Sequence, residues 1–436
     1  MRYLPILAAV AALAVAACGS SGGGGSSGGG STGGKPTASA PGITATSVTV
    51  GGHFPLTGPA APGYSEIPRA IQAYFQYVND HGGIHGRKLK MIVRDDGYNP
   101  VNTVKVTKQL VLQDKVFAML GGLGTPTHTK VVDYLNSSRV PDIFVSSGCL
   151  CWDDPQKHPY TFGWQPDYLV EGKVLGQYIA QHFKGKKVAY FLQSDDFGAD
   201  GAKGLDMEIP KSQVVTRQTY DPTNVNIGPQ MQKIQQSGAE VIASFSIPAF
   251  TALEILTDLK LNYKPQLVVS SVGSDPTTLG GLLKSFSKGK APASLADGMV
   301  TDGYLPSLGD TSNAWTTLFK GIHDKYIAKL PWDGNVGYGL AMAYTFVDAL
   351  AKAGTNPTRQ SIVKTIESSN LRGPGLVPFR YSKQSHAGFT GVQIGTVKNG
   401  AVELSGQPMT TDDQSGSIQP FTGAAVSPPS NGVPAT

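Results

Sequence analysis

Three cysteines, eight scattered histidines and no clustered run of lysine or arginine in 436 residues remove several classes of protein at once. So few thiols cannot form a disulfide scaffold in place of a hydrophobic core. Outside the glycine/serine stretch near the amino terminus there is no H-E-x-x-H, G-x-x-x-x-G-K-[ST] or G-x-S-x-G, so the usual zinc-peptidase, phosphate-loop and serine-hydrolase arrangements are missing. No second Cys or His pair stands near Cys149 and Cys151 at ligand spacing, which argues against zinc; no metal and no cofactor is expected. The formal charge of +5 is spread along the chain, which argues against a nucleic-acid partner. After residue 17 no segment is long and apolar enough to cross a bilayer. A nucleophile with its base, a metal cluster or a pair of catalytic carboxylates is also not evident, so an enzyme is not expected.

Residues 1–18 carry one basic residue, Arg2, then an apolar stretch from Leu4 to Ala17 that is short for a membrane span. This is the pattern of an export signal. Its ending, Val15-Ala16-Ala17-Cys18, resembles the lipobox of bacterial lipoproteins, which implies cleavage before Cys18 and lipid on that residue. Residues 19–42 are nearly all Gly, Ser, Thr, Ala and Pro and read as a tether with a reach of roughly 25–30 Å. Residues 407–436, again rich in Pro, Ser, Gly and Thr, read as a disordered tail. With Cys18 taken by lipid, Cys149 and Cys151 remain as an even pair in an oxidising compartment, where a disulfide is expected.

The body between is too long for one compact core and suits two α/β domains. Apolar strands at 47–54, 89–94, 116–120 and 142–146 alternate with helical patterns at 65–79 and 101–113 and a helix beginning at Pro126. After an aromatic, proline-rich stretch at 152–168, a second round begins: helix 169–183, strand 187–192, and so on to strand 266–270. Alternation without hairpins means parallel sheets covered on both faces. Ligands bind beyond the carboxyl ends of such strands, so loops 55–62, 121–127, 146–152, 194–198, 246–249 and 271–276 are expected to converge.

The stretch Val116–Thr127, VFAMLGGLGTPT, organises the first unit. An apolar run ends on Gly121-Gly122, Gly124 permits close approach, and Thr125-Pro126 reads as an N-cap with proline at the first helical position. Amides at such a helix start favour a carboxylate or other anion, with hydroxyls from Thr125 and Thr127 beside it. An ordinary strand-to-helix turn accounts for the same residues.

Phe54-Pro55-Leu56-Thr57-Gly58, Asn79-Asp80-His81-Gly82-Gly83-Ile84-His85-Gly86-Arg87-Lys88-Leu89 and Asp95-Asp96 resemble the opening of type I periplasmic binding proteins of the leucine/isoleucine/valine-binding group. Asp195-Asp196-Phe197-Gly198 and Ser237-Gly238-Ala239-Glu240 extend the resemblance over most of the body. It implies an α/β fold of two Rossmann-like lobes with parallel sheets joined by a three-strand hinge. Lobe 1 would comprise 43–165 and 305–379, lobe 2 166–304 and 380–406. It also implies an extracytoplasmic, lipid-anchored protein that closes on a small ligand and delivers it to an ABC permease; a ligand sensor reporting to a membrane receptor is the alternative. By that resemblance a ligand carboxylate is held by Gly124 and Thr125 and by Ser147 and Cys149, and Phe197 covers the ligand. Ile247 stands in the loop where relatives place a tyrosine, and Asp275 is the acid available for an amino group in the loop after residues 266–270, a few residues late. Trp152 and Trp164 are candidate apolar walls.

Overall fold

The computed structural model describes residues 35–436. The leader 1–18 with Cys18, and the tether up to residue 34, lie outside the described residues. Among the described residues the chain forms two sheets.

The first lobe begins β1 (Ser47–Phe54), α1 (Ile67–Asp80), β2 (Lys88–Asp95), α2 (Pro100–Leu112), β3 (Met119–Leu120), α3 (Thr125–His128), α4 (Val132–Ser137), β4 (Asp142–Val145) and β5 (Thr161–Gly163). These strands pair in parallel in the order β2-β1-β3-β4-β5. The inner strands β3 and β4, with β5, are buried throughout and β1 nearly so, as helices on both faces require, whereas the edge strand β2 is largely half-buried or exposed. The second lobe follows as α5 (Tyr168–His182), β6 (Val188–Gln193), α6 (Asp196–Glu208), β7 (Val214–Tyr220), α7 (Gly228–Gln236), β8 (Val241–Phe245), α8 (Pro248–Lys260), β9 (Gln266–Val269), α9 (Pro276–Phe286) and β10 (Val300–Gly303). The chain then returns to the first lobe as α10 (Ala314–Tyr326), α11 (Gly334–Lys352) and α12 (Arg359–Ser368), with α11 packed on α1. It crosses back as β11 (Gly391–Lys398), antiparallel to β10, followed by β12 (Ala401–Leu404), β13 (Met409–Thr410) and β14 (Gln419–Pro420).

Each crossing brings an aromatic ring to one cluster. Trp164, Tyr304 and Phe389 have centroids 5.3–6.1 Å apart, and Phe379 stacks on Phe389 at 4.1 Å. Backbone bonds tie the same strands: Phe389 N–H donates to the Trp164 carbonyl (3.1 Å) and Leu376 N–H to that of Tyr304 (2.8 Å). Gly388 is required here, because a Cβ on it would lie 2.1 Å from the Trp164 carbonyl oxygen. Trp164 is therefore part of the hinge.

Three expectations need correction. The helix foreseen from Pro126 is a four-residue turn, α3, separated from α4 by residues 129–131. Thr125, Thr127, Thr129, Val131 and Val132 crowd five β-branched side chains into eight residues, and the Thr127 hydroxyl donates back to the Leu123 carbonyl at 2.6 Å, which competes with helix continuation. The tether also ends earlier than residue 42. The Arg87 guanidinium, 1% exposed, donates to the carbonyls of Thr37 (2.8 Å) and Thr44 (2.7 Å) and fixes residues 37–44 on the first lobe. The segment 407–436 is not disordered: it carries β13 and β14 and then lies against the first lobe. Tyr74, Tyr77 and Trp315 donate to the carbonyls of Gly432, Asn431 and Val426 at 2.6–2.7 Å. A segment poor in apolar side chains is thus held through its carbonyl oxygens by donors from the body.

Asp167 starts the second lobe and caps α5 through Oδ1, which accepts from Val170 N–H (2.8 Å), while Oδ2 has no partner. Burial pushes its carboxyl up to about 7, against the lowering effect of the Val170 amide and of Arg380. Between the unfolded value near 3.9 and this folded value the native state holds a proton the unfolded state lacks, so Asp167 costs stability increasingly as pH rises through that window. Asp167→Asn keeps the cap and removes the ionisation. Relative to the parent it is expected to gain up to about 1.4 kcal/mol per pH unit between pH 5 and 7. Urea unfolding at the two pH values checks this; a mutant-to-parent difference that does not change with pH contradicts it.

Candidate functional site

A cavity of about 400 Å³ lies between the lobes, within the usual range for small organic ligands. Five of the expected loops reach it: Leu123, Gly124 and Thr125 from the loop after β3, Ser146 after β4, Phe197 after β6, Ile247 after β8 and Ser271 to Pro276 after β9. Loop 55–62 does not. Its Leu56 and Thr57 amides and the Thr57 hydroxyl are bound to Asp95 instead, which holds that carboxyl below the usual range.

Of the sequence candidates, Gly124, Thr125, Phe197, Ile247 and Asp275 line the cavity, whereas Ser147 and Cys149 do not. Gly124, not Thr125, is the N-cap of α3, at φ 102°, where a side chain would also strike Thr127 and Tyr98. The Thr125 hydroxyl is paired with that of Ser147 at 2.7 Å, so Ser147 stands one layer behind, positioning Thr125. With only four residues in α3, the dipole contribution to anion binding is small, and the Thr125 hydroxyl with the loop amides is what remains. Cys149 and Cys151 are joined to each other. Among the described residues they form, with Asp196, the one group spaced to hold a metal ion, and the bridge consumes both thiols. Trp152 packs edge-on to His128 away from the cavity (5.1 Å), and with Trp164 in the hinge neither tryptophan walls it.

Beneath the Gly122–Thr125 loop runs a buried chain of four groups. Asp96 Oδ2, His53 Nδ1 and Nε2, His128 Nδ1 and Nε2, and Asp142 Oδ2 follow one another at 2.8 Å per step, and both imidazoles are fully buried. Burial lowers the His53 basicity, against the raising effect of Asp96. A Cβ on Gly122 would sit 2.5 Å from His128 Nδ1, so this chain forms the floor on which the loop rests.

The second lobe contributes a packed aromatic group. Phe197 packs tilted against Tyr168 (4.5 Å) and edge-on to Phe245 (5.7 Å), placed by Asp195, whose side chain accepts from the Phe197 amide. Tyr220 orients Ile247 by accepting from its amide at 3.0 Å, and Tyr98 from the first lobe meets Gln193 of the second at 3.3 Å. Asp275 has both oxygens engaged: Oδ1 caps α9 by accepting from Thr278 N–H, and Oδ2 accepts from Gly334 N–H of the first lobe at 2.9 Å. With Tyr64 donating to the Val272 carbonyl (3.1 Å) and Asn335 to the Thr278 hydroxyl (3.1 Å), Asp275 forms a latch between lobes in a closed arrangement. Pattern reading missed Tyr64, Tyr98, Asp302, Tyr304, Asp333 and Tyr338, all of which line the cavity. Tyr98 follows Asp95-Asp96-Gly97 and points inward from a positive φ of 58°; that turn was the one local cue.

Two lobes of parallel sheet, three crossings and a cavity between strand ends define a two-lobed solute-binding protein. Residues 47–401 match the model of the periplasmic binding protein family, and the chain belongs to it, as a type I member of the leucine/isoleucine/valine-binding group. A Leu/Ile/Val-binding protein homolog from Brucella abortus is 27% identical over 212 residues, 45% of this chain and 53% of that protein. An amino acid binding protein from Pseudomonas aeruginosa is 27% identical over 207 residues, 45% of this chain and 52% of that one. The chain thus matches about half the length of these curated relatives. Among solved structures, a branched-chain amino acid ABC transporter protein from Thermus thermophilus with bound valine superposes with a TM-score of 0.72 at 20% identity, covering 84% of this chain and 97% of that one. A fatty acid ABC transporter substrate-binding protein from Thermomonospora curvata gives 0.71 at 20% identity, covering 86% and 95%. At such identities these two structures speak to the fold alone. Among the described residues no helix is long and apolar enough to cross a membrane.

Proposed function

We propose that this protein is the extracytoplasmic solute-binding component of an ABC importer, tethered through lipid on Cys18, that takes a small organic ligand bearing a carboxylate or carbonyl group. The observation that carries the reading is the cavity itself, bounded by loops of both lobes and latched by Asp275, Tyr64 and Asn335. The ligand oxygen docks at Gly124 and Thr125, and Phe197 covers the apolar part as the second lobe closes. Family membership and the named activities of the relatives support the same role.

Binding to the folded state alone raises its stability, by about 2.7 kcal/mol at a ligand concentration one hundred times Kd. A thermal-shift screen of the full-length protein against amino acids, amides, organic acids and aromatic compounds is expected to show at least one class that raises Tm. Phe197→Ala is expected to weaken that hit by about 1.5–3 kcal/mol through lost apolar contact. An unchanged affinity places the ligand elsewhere. Cys18→Ser is expected to move the protein from the membrane fraction to the soluble one without altering affinity, since anchor and cavity are far apart in the chain.

A further inference from the structure

The turn that carries the Cys149–Cys151 bridge touches three parts of the molecule. Cys149 N–H donates to the Ser147 hydroxyl (3.2 Å), which is the hydroxyl paired with Thr125 in the cavity wall (2.7 Å). The Gly148 carbonyl accepts from the Tyr168 amide (2.7 Å), where the chain enters the second lobe. Leu150 N–H crosses to the second lobe and donates to Asp200 Oδ2 on α6 (3.0 Å). The start of α6 therefore rests on a first-lobe turn. Asp196 stands at that start, one position before Phe197 in the cavity wall.

A carboxylate oxygen of Asp196 and the two sulfur atoms lie within 4.8 Å of one another, so donors from both lobes meet at one point. Asp196 is exposed, and the nearby Lys203 is bound to Asp200 instead (2.8 Å). In the bridged form the sulfur atoms are spent on each other. A dithiol reductant frees them. Its thiolate attacks the half-buried Cys151 sulfur, the S–S bond breaks, and Cys149 leaves as a thiolate that takes up a proton; the second thiol of the reductant then resolves the mixed disulfide. Two electrons and two protons pass to the pair, and the reductant departs as its own disulfide. A tetrahedral ion about 2.3 Å from each thiolate and 2.0–2.2 Å from a carboxylate oxygen holds these donors roughly 3.5–3.8 Å apart, a spacing the three groups reach with small shifts once the bridge is open. Two thiolates and one carboxylate suit zinc, and do not suit magnesium or calcium, which take oxygen ligands. The exposed side at Asp196 leaves a fourth position to water.

We propose that the reduced Cys149 and Cys151 thiolates of the first lobe and the Asp196 carboxylate of the second form a metal site that takes one divalent zinc-class cation, and that the disulfide form takes none. Binding displaces the two thiol protons to solvent. The three ligands lie outside the cavity wall, so this is a second site, separate from the one that takes the solute. The ion ties the start of α6 to the first lobe and thereby holds Phe197 in place over the cavity. Closure and metal binding favour each other by the same factor in both directions.

Cobalt(II) and zinc test this on the full-length Cys18→Ser protein, in which the pair are the only cysteines. After reduction by a dithiol and removal of the reductant under argon, the protein is expected to bind one equivalent of cobalt. The expected spectrum has a thiolate-to-cobalt charge-transfer band in the near ultraviolet and tetrahedral d–d bands in the visible, both lost when zinc displaces the cobalt. The oxidised protein is expected to show neither. Asp196→Asn, an exposed change that leaves the bridge intact, is expected to weaken zinc in a chelator competition by at least about tenfold, since outer-shell partners alone are worth that much to a metal site. Hydrogen exchange read by mass spectrometry is expected to slow at residues 147–152 and 196–200 together when zinc is added, in the reduced protein only. A cobalt spectrum without the sulfur band, or zinc held as tightly by the oxidised protein, overturns the site. Zinc affinity unchanged by Asp196→Asn, or protection confined to residues 147–152, overturns its placement between the lobes.

Discussion

Replacing His128 with leucine is expected to destabilise the protein by about 3–5 kcal/mol, the range seen when one member of a buried ionic network is removed. The reason lies in proton bookkeeping along the Asp96-His53-His128-Asp142 chain. Its three contacts of 2.8 Å each need one hydrogen, and two neutral imidazoles supply two, so the chain carries one further proton shared among its members. Leucine removes the link that satisfies both His53 Nε2 and Asp142 Oδ2. Asp142 keeps only the Thr161 hydroxyl (2.9 Å), in a site 1% exposed. Adding Asp142→Asn to His128→Leu removes the stranded charge and is expected to restore part of the loss, so the double mutant should be more stable than the sum of the single effects. Denaturant unfolding of the four proteins in this cycle measures the coupling. A cost below about 1 kcal/mol for His128→Leu, or strict additivity, means that the chain is not an ionic unit. Because Gly122 rests on His128, ligand affinity at Gly124 and Thr125 is expected to fall with stability.

The contrast between what local pattern reveals and what it hides follows from the range of each interaction. Buried parallel strands read as continuous apolar runs, so Asp142–Val145 and Val188–Gln193 announce themselves, and their carboxyl ends locate the loops that carry Gly124, Ser146, Phe197 and Ile247. The four-residue length of α3 was also written locally, in its β-branched run, but the Thr-Pro start masked it. Which side chain of a loop enters the cavity depends on partners distant in sequence: Ser147 faces Thr125 because of that pairing, and Ser146 takes the wall instead. Asp302, which lines the cavity from β10, looks in sequence like an ordinary strand-end acid. The composition of residues 407–436 suggests disorder because it is silent about donors elsewhere in the chain, such as Lys173, Trp315 and Tyr74.

Lys173→Met is expected to release the carboxyl-terminal segment and to cost about 3 kcal/mol, two or three times an ordinary hydrogen bond, because several acceptors lose their donor together. The ammonium is 1% exposed inside the loop 411–416, where it donates to the Thr411 hydroxyl (2.7 Å) and to the carbonyls of Asp412 (3.0 Å), Gln414 (2.9 Å) and Gly416 (2.7 Å), with Asp412 Oδ1 at 3.4 Å. An ammonium ringed by this many oxygens organises the loop much as a bound cation would, and methionine keeps the length of the stem while losing every donor. Asp412 is 49% exposed, so the freed loop can swing into water and hydrate its carbonyls, which keeps the cost near 3 kcal/mol instead of the larger penalty of trapped unsatisfied groups. The loop closes the hairpin of β13 and β14, which pairs with β11 of the second lobe, and the chain beyond that hairpin is the stretch held by Trp315, Tyr74 and Tyr77 on the first. Its release therefore loosens, at its second-lobe end, a fourth link between the lobes in addition to the three hinge crossings. Hydrogen exchange read by mass spectrometry is expected to show residues 407–436 losing protection at denaturant concentrations where the sheets remain protected, with easier opening of the cleft seen as a larger radius of gyration without ligand. Exchange in that segment that stays tied to global unfolding would show that the loop holds itself without Lys173.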